Sequence, residues 1–192
     1  MKLLRRLNVQ SNRSIVAPFV ISRGDEFQGL LSDAVSLPDM FWNLEEWFTD
    51  TDLHIGIGYG ILETPVTVDG NALALDGPAF HNARHAIEDP RSHLGGVFKG
   101  FGDQGDPIIN GFARILHRHR ARLSDRQREI LGKSRSGASQ TSIAEMIGRT
   151  KQAVSAHFQA AGVEAYEEAE TGWRAALDYF TQPPAAPAGK TA

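Results

Sequence analysis

The chain has 192 residues, 20 Lys/Arg against 23 Asp/Glu for a net charge of −3, and no cysteine. Disulfides and thiolate metal centres are therefore excluded, and a reducing, cytoplasmic setting fits the composition. No apolar run approaches the ~20 residues that cross a bilayer, and the basic residues near Met1 are not followed by the apolar core of a signal peptide, so no membrane partner is expected.

Taken in order, Leu3, Leu4 and Leu7 recur at helical spacing, which predicts the last turns of a helix over residues 1–8. The β-rich run 15–21 then enters the acidic turn Gly24-Asp25-Glu26, which is left through Phe27, Leu30 and Leu31. This pattern reads as two strands joined by a tight turn that presents carboxylates. Asp25 and Glu26 are candidates to hold a metal ion, although acidic turn residues commonly do no more than solvate a loop. Leu37, Phe41, Leu44 and Phe48 predict an amphipathic helix over 37–49, with Pro38 in its first turn and Trp42 and Trp47 widening its buried face. Leu53, Ile55, Ile57 and Tyr59 alternate with His54, Gly56, Gly58 and Gly60, the period of a strand with one smooth face. Glycines at alternate positions imply that a helix backbone or a ligand comes close to that face. Residues 61–68 can continue as a hairpin arm. Asp76-Gly77-Pro78 starts a helix that Asp89-Pro90 stops, and on it His81, Asn82 and His85 could contact a ligand. Residues 97–101 predict a further strand, the Gly-rich piece 100–105 a loop or linker, and 108–119 a helix.

Charge is not spread evenly. Residues 1–111 carry 8 Lys/Arg against 15 Asp/Glu, residues 112–160 carry 10 against 3, and residues 161–192 carry 2 against 5. An acidic front and a basic second part suggest that only the latter meets phosphate. Arg118, Arg120 and Arg122 alternate with His117 and His119; residues two apart on a helix point apart, so this is a solvated or phosphate-facing surface rather than a metal site. Short helices are predicted over 125–134, 140–147 and 150–160, a longer acidic one over 165–180, and a disordered Pro/Ala-rich tail over 181–192.

Counting Gln140 as the first position, Ala144 is fifth, Gly148 ninth and Val154 fifteenth, with Ile143 and Ile147 on the inner face. A small residue at a helix crossing, a glycine in the turn and an apolar residue fixing the second helix are the spacing of a helix-turn-helix, with an ordinary helical bundle as the plainer reading. If the unit binds DNA, Lys151, Gln152 and Ser155, with Gln159 further along, would face base edges. Arg126, Arg128 and Arg149, with the 118–122 run, would meet phosphates. His157 stands where such a helix turns an apolar residue inward, and Phe158 can substitute by a slight rotation.

The order of acidic hairpin, glycine-alternating strand and the segment Asp76-Gly77-Pro78-Ala79-Phe80-His81-Asn82-Ala83-Arg84 resembles the nucleotide-cyclase superfamily. The hairpin is similar to that of GGDEF diguanylate cyclases, and the strand and helix to those of class III cyclases, whose helix carries an Asn-x-x-Ala-Arg pattern. That resemblance implies Mg²⁺ held by Asp25, and by Glu26 as a further candidate, with Arg84 in the catalytic position that steadies charge during phosphoryl transfer. The asparagine of that pattern falls on Phe80, so Asn82 is not its counterpart by register. Across residues 3–180 the chain also resembles the bacterial SatD family, through Gly-Asp-Glu-Phe-Gln-Gly-Leu-Leu from Gly24, Ile-Gly-Ile-Gly from Ile55, the Asp76–Arg84 segment and Arg126-Gln127. Members of that family open with a strand carrying a Gly-Asp pair and a Ser. This sequence begins inside the helix that follows, so an Asp-bearing strand is expected to lie upstream or to have been lost.

The expected fold is α+β: a nucleotide-cyclase-like (ferredoxin-like) α/β sandwich without its first strand, over 1–105, then an all-α helix-turn-helix domain over 106–180 and the tail over 181–192. The expected function is an intracellular regulator that binds DNA through its second part, while the first senses a nucleotide through Gly24, Asn82 and Arg84 or supports a homodimer. The alternatives are a Mg²⁺-dependent nucleotidyl cyclase or related nucleotide-processing enzyme using Asp25 and Arg84, and a protein-interaction module.

Overall fold

The computed structural model describes residues 2–10, 12–48, 52–67, 70–93 and 95–182. Helix α1 (Lys2–Gln10) leads into an antiparallel hairpin of β1 (Ile15–Arg23) and β2 (Glu26–Leu31), which turns at Gly24 in the left-handed region with φ 55°. Phe19 and Phe27 meet edge to face on this hairpin at 6.1 Å. The side chain of Asn8 on α1 donates to the Phe19 carbonyl (3.0 Å) and accepts from the Phe19 N–H (2.8 Å). One amide thus satisfies both backbone groups that an edge strand leaves open.

Helix α2 (Leu37–Trp47) begins with Pro38 in its first turn and buries Leu37, Met40, Phe41 and Leu44, spaced as one helical face. A parallel pair follows, β3 (Gly56–Gly58) and β4 (Val97–Lys99), joined through α3 (Pro78–Ile87), the crossover that parallel strands require. A Cβ on Gly58 would lie 2.0 Å from the Ala79 carbonyl and 2.3 Å from the Ala83 N–H, and one on Gly56 would lie 2.5 Å from the Ala83 carbonyl. The alternating glycines therefore let α3 lie directly on the strand. The smooth face is filled by a helix, not by a ligand. After α3, Asp89 accepts from both the backbone N–H and the side chain of Arg91 (2.9 Å each), and these bonds hold its carboxyl well below the usual carboxylate range.

Helix α4 (Gly102–Ala121) places Asn110 beneath β4, where its side chain accepts from the Phe98 N–H (2.9 Å) and donates to the Phe98 carbonyl (2.8 Å). Both strand pairs are thus closed on one side by an asparagine from a neighbouring helix. The expected single cyclase-like sheet is not formed among the described residues: the strands make two separate two-stranded sheets. Such pairs are marginal alone and hold because helices cover them. The hairpin arm expected over 61–68 is also absent, since residues 61–67 run as turns and irregular chain; Val68 lies outside the described residues.

The helices α5 (Asp125–Arg135), α6 (Gln140–Ile147) and α7 (Lys151–Ala160) enclose a small core of Ile130, Ile143, Ala144 and Val154. The long α8 (Val163–Thr181) returns to the first half, where Trp173 meets Phe41 and Phe98 at 5.8 and 5.7 Å. The main core consequently runs from Leu7 to Leu177. The division expected at 105/106 falls inside α4, and the Gly-rich piece 102–105 is its first turn rather than a linker. The reason is tertiary: a Cβ on Gly105 would lie 3.0 Å from the Phe180 ring, so the glycine serves close packing. Of the expected tail, residues 183–192 lie outside the described residues.

Gly58→Ala forces a methyl group into the α3 backbone. Overpacking of this kind costs about 1–3 kcal/mol, which for a chain of this size lowers the melting temperature by roughly 3–10 °C. An unchanged thermal midpoint by circular dichroism would show that α3 does not seat on β3 in this way.

Candidate nucleic-acid interface

The helical unit is delimited by its own caps. Ser124 and Gln127 form a reciprocal capping box at the start of α5, and Ser139 accepts from the Ser142 N–H at the start of α6. Helix α6 ends at Gly148 in the left-handed region (φ 63°), after which the Arg149 N–H bonds back to the Ala144 carbonyl at 2.9 Å. Two residues later Thr150 caps α7 by accepting from the Ala153 N–H at 3.2 Å. The Gly148–Thr150 turn sets α7 across α6, with Val154 fully buried between them. Phe158 is half-buried against the same core while His157 is exposed.

The outward side of α7 carries the residues singled out for base edges. Lys151, Gln152 and Gln159 are exposed and Ser155 is half-buried. Arg126 from α5, Arg149 from the turn and His157 from α7 surround a pocket of about 370 Å³ whose floor is Ile147, Ala153 and Val154. No carboxylate lines it, although Arg126 also bonds Glu129 along α5. Arg126, Arg149 and His157 thus stand around one apolar floor beside the N-terminus of α7. Arg128 does not join them: it donates to the Leu123 carbonyl (3.3 Å) and lines a different groove, against α2, together with Glu46, Asp125 and Glu129.

The basic run before α5 divides. Arg118 and Arg122 are exposed, but Arg120 is buried and pairs with Glu45 (2.9 Å) and Glu46 on α2, its guanidinium 3.7 Å above the Trp42 ring. Arg120 is therefore not phosphate-facing. Arg135 covers Trp42 as well, at 4.3 Å, and bonds Glu170 (2.6 Å) and Asp39 (3.0 Å); Arg174 bonds the same two carboxylates. Burial alone would make Arg135 easier to deprotonate, but the hydrogen bonds and charge of Glu170 outweigh it and hold its pKa above the ordinary value. Burial, with Glu170 nearby, likewise keeps the Tyr166 hydroxyl well above the usual phenol range. This network ties α2 to α4, α5 and α8 and was missed in the sequence.

The front constellation is not assembled into a site. Asp25 in the turn and Glu26 at the start of β2 are adjacent and exposed, and among the described residues no group of three or more His, Asp or Glu is placed to hold a metal ion. Arg84 is exposed and makes no hydrogen bond or ion pair to Asp25, Glu26 or Gly24 among the described residues. Asn82 donates to the Tyr59 carbonyl at 2.8 Å, and a Cβ on Gly100 would lie 2.4 Å from its amide nitrogen, so it braces β3 from within. His81 lies 3.1 Å from Asp76 at the start of α3, and His85 is exposed. One grouping the sequence did not suggest, Asp52, His54 and Ser92, has the residue types of a hydrolytic triad. Its serine is fully buried against His54 (2.7 Å) and its carbonyl bonds the Ile55 N–H, which makes it a pin for β3 rather than a nucleophile.

The class defined by this geometry is a mixed α+β protein whose sheets are small and whose second half is helical, with no helix among the described residues long and apolar enough to cross a membrane. The SatD family model matches residues 1–93, so that part of the chain is similar to the SatD family. The match ends before β4, so Arg126-Gln127 and the rest of the helical half lie beyond it. No curated protein and no solved structure matches the chain.

Arg120→Ala removes the ring contact, leaves Glu46 unpaired and leaves Glu45 with His117 alone. Because Glu45 and Glu46 are 24% and 44% exposed, the loss is discounted from that of a fully buried pair to about 2–3 kcal/mol in urea unfolding. Arg122→Ala should change stability by less than about 0.5 kcal/mol. Equal effects of the two substitutions would contradict the division of the basic run.

Proposed function

We propose that this chain is a DNA-binding regulatory protein in which α6, the Gly148–Thr150 turn and α7 act as a helix-turn-helix. The observation that carries the reading is the exposed first turn of α7, Lys151 and Gln152, set beside the pocket ringed by Arg126, Arg149 and His157. In this reading α7 enters the major groove N-terminal end first, where Gln152 can donate to and accept from one adenine. Ser155 and Gln159 follow on the same face at helical spacing. A backbone phosphate occupies the pocket, held by Arg149 and Arg126, and sets register without reading sequence. The local excess of positive charge over residues 112–160 (10 Lys/Arg against 3 Asp/Glu) supplies counterion release despite the acidic total.

The SatD-like part takes a regulatory rather than catalytic role in this reading. Asn82 is occupied with Tyr59, and Asp25 and Glu26 stand without further metal ligands among the described residues. What links the part to α7 is the Trp42 network, since α5 carries both Arg135 of that network and Ile130 of the small core.

Fluorescence anisotropy of the full chain on mixed-sequence duplex DNA should give an affinity that falls steeply with salt. Arg149→Ala and Arg126→Ala should weaken binding on all sequences and make the logarithmic salt slope shallower by about 1 each. Gln152→Ala should relax preference at one base pair, at a cost of about 1–3 kcal/mol on the preferred site. Absence of any salt-dependent affinity would refute the reading.

A further inference from the structure

The face of α4 turned away from the core has no intrachain partner among the described residues. Ile109, Ala113, Leu116 and Arg120 define the buried side of the helix. Opposite them run Ile108, Gly111, Ile115 and Arg118, spaced three and four apart as one stripe. Ile108 is 43% and Ile115 65% exposed, an unusual exposure for two β-branched residues on one helix face. A Cβ on Gly111 would meet nothing within 4 Å, so no contact inside the chain requires glycine there, although it weakens a helix relative to alanine. The ends of the stripe carry opposite charge. Asp103 flanks the N-terminal end, Arg118 and Arg122 lie at the C-terminal end, all three are exposed, and none makes an ion pair among the described residues.

We infer that this face of α4 is a homodimer interface, in which α4 packs antiparallel on α4 of a second copy about a two-fold axis beside Gly111. A two-fold contact must be self-complementary. Here Ile108 meets Ile115 of the other copy and Asp103 meets its Arg118, each contact occurring twice. The two pairs have nearly the same midpoint in the sequence, within one residue of Gly111, so one axis serves both. Gly111 then lies where the helices cross, and its missing side chain lets the backbones approach. The antiparallel arrangement also opposes the two helix dipoles. A parallel arrangement would set like charges against each other. One helix pair covers less than the ~1,200 Å² at the lower end of stable interfaces, so the dimer is weak and concentration-dependent. The inference stands on α4 alone and is independent of the DNA reading, which can fail while this holds.

Sedimentation of the full chain over a range of concentrations tests it. The mass should rise toward twice the monomer and fall back at high salt. Ile115→Glu should leave a monomer, and Asp103→Arg or Arg118→Asp alone should each weaken association by about tenfold or more through like charges. The double variant Asp103→Arg/Arg118→Asp should recover dimerisation. Because Asp103 lies in the first turn of α4, its reversal also costs helix stability, a cost that the double variant retains, so recovery cannot come from better folding. Circular dichroism checks that each variant is folded. A wild-type chain that stays monomeric, an Ile115→Glu chain that associates normally, or a double variant that does not recover would each overturn the inference. So would an Arg118→Asp chain that binds DNA more weakly with no change in mass, because it would assign the stripe to phosphate.

Discussion

The arrangement depends most on one indole ring. Trp42 on α2 lies between the guanidiniums of Arg120 and Arg135, at 3.7 and 4.3 Å, and the carboxylates of Glu45, Glu46, Asp39 and Glu170 hold those two cations over its faces. Each stacked cation contributes about 0.5–2 kcal/mol, more as water is excluded. The larger consequence is geometric. A guanidinium that must satisfy a planar ring and two carboxylates has little freedom, so α4, α5 and α8 are fixed in angle around α2. The acidic residues that make the first half look repellent to nucleic acid are partly spent here, neutralising arginines that the basic second half sends into the core.

That economy reshapes the electrostatic picture. The excess positive charge of residues 112–160 divides into a buried share, Arg120 and Arg135, which builds the protein, and an outward share, which is available to partners. The outward share includes two groups, Arg126, Arg149 and Lys151 around α7, and Arg118 and Arg122 at the end of α4. A net charge summed over a segment could not make this distinction, because the sum does not contain the helix phase.

How much could be read beforehand follows from where the determining contacts lie. The ends of α5, α6 and α7 were legible because Ser124, Ser139, Gly148 and Thr150 act on their own neighbours. The hairpin was legible for the same reason, as Gly24 sits in its turn with positive φ. The alternating glycines announced a close approach, but only α3 in place decides between helix and ligand. The start of α4 was misplaced because Gly102 and Gly105 look like loop, whereas Gly105 answers to Phe180 far away in sequence. Arg120 was partly legible after all. Continuing the phase of Ile109, Ala113 and Leu116 brings position 120 to the core side, where a charge must find a partner. Asn110 falls on the same side, and a buried amide in an apolar row signals backbone groups that need satisfying.

In the proposed DNA reading the outward face of α7 meets the duplex and the acidic hairpin takes no part in that contact. Hydrogen–deuterium exchange of the full chain, with and without duplex DNA at low salt, addresses both halves of that claim in one measurement. The account predicts slowed exchange over residues 148–156, where the turn and the first half of α7 would be covered, and unchanged exchange over residues 23–28. Unchanged exchange over 148–156 under conditions where DNA is bound would contradict it.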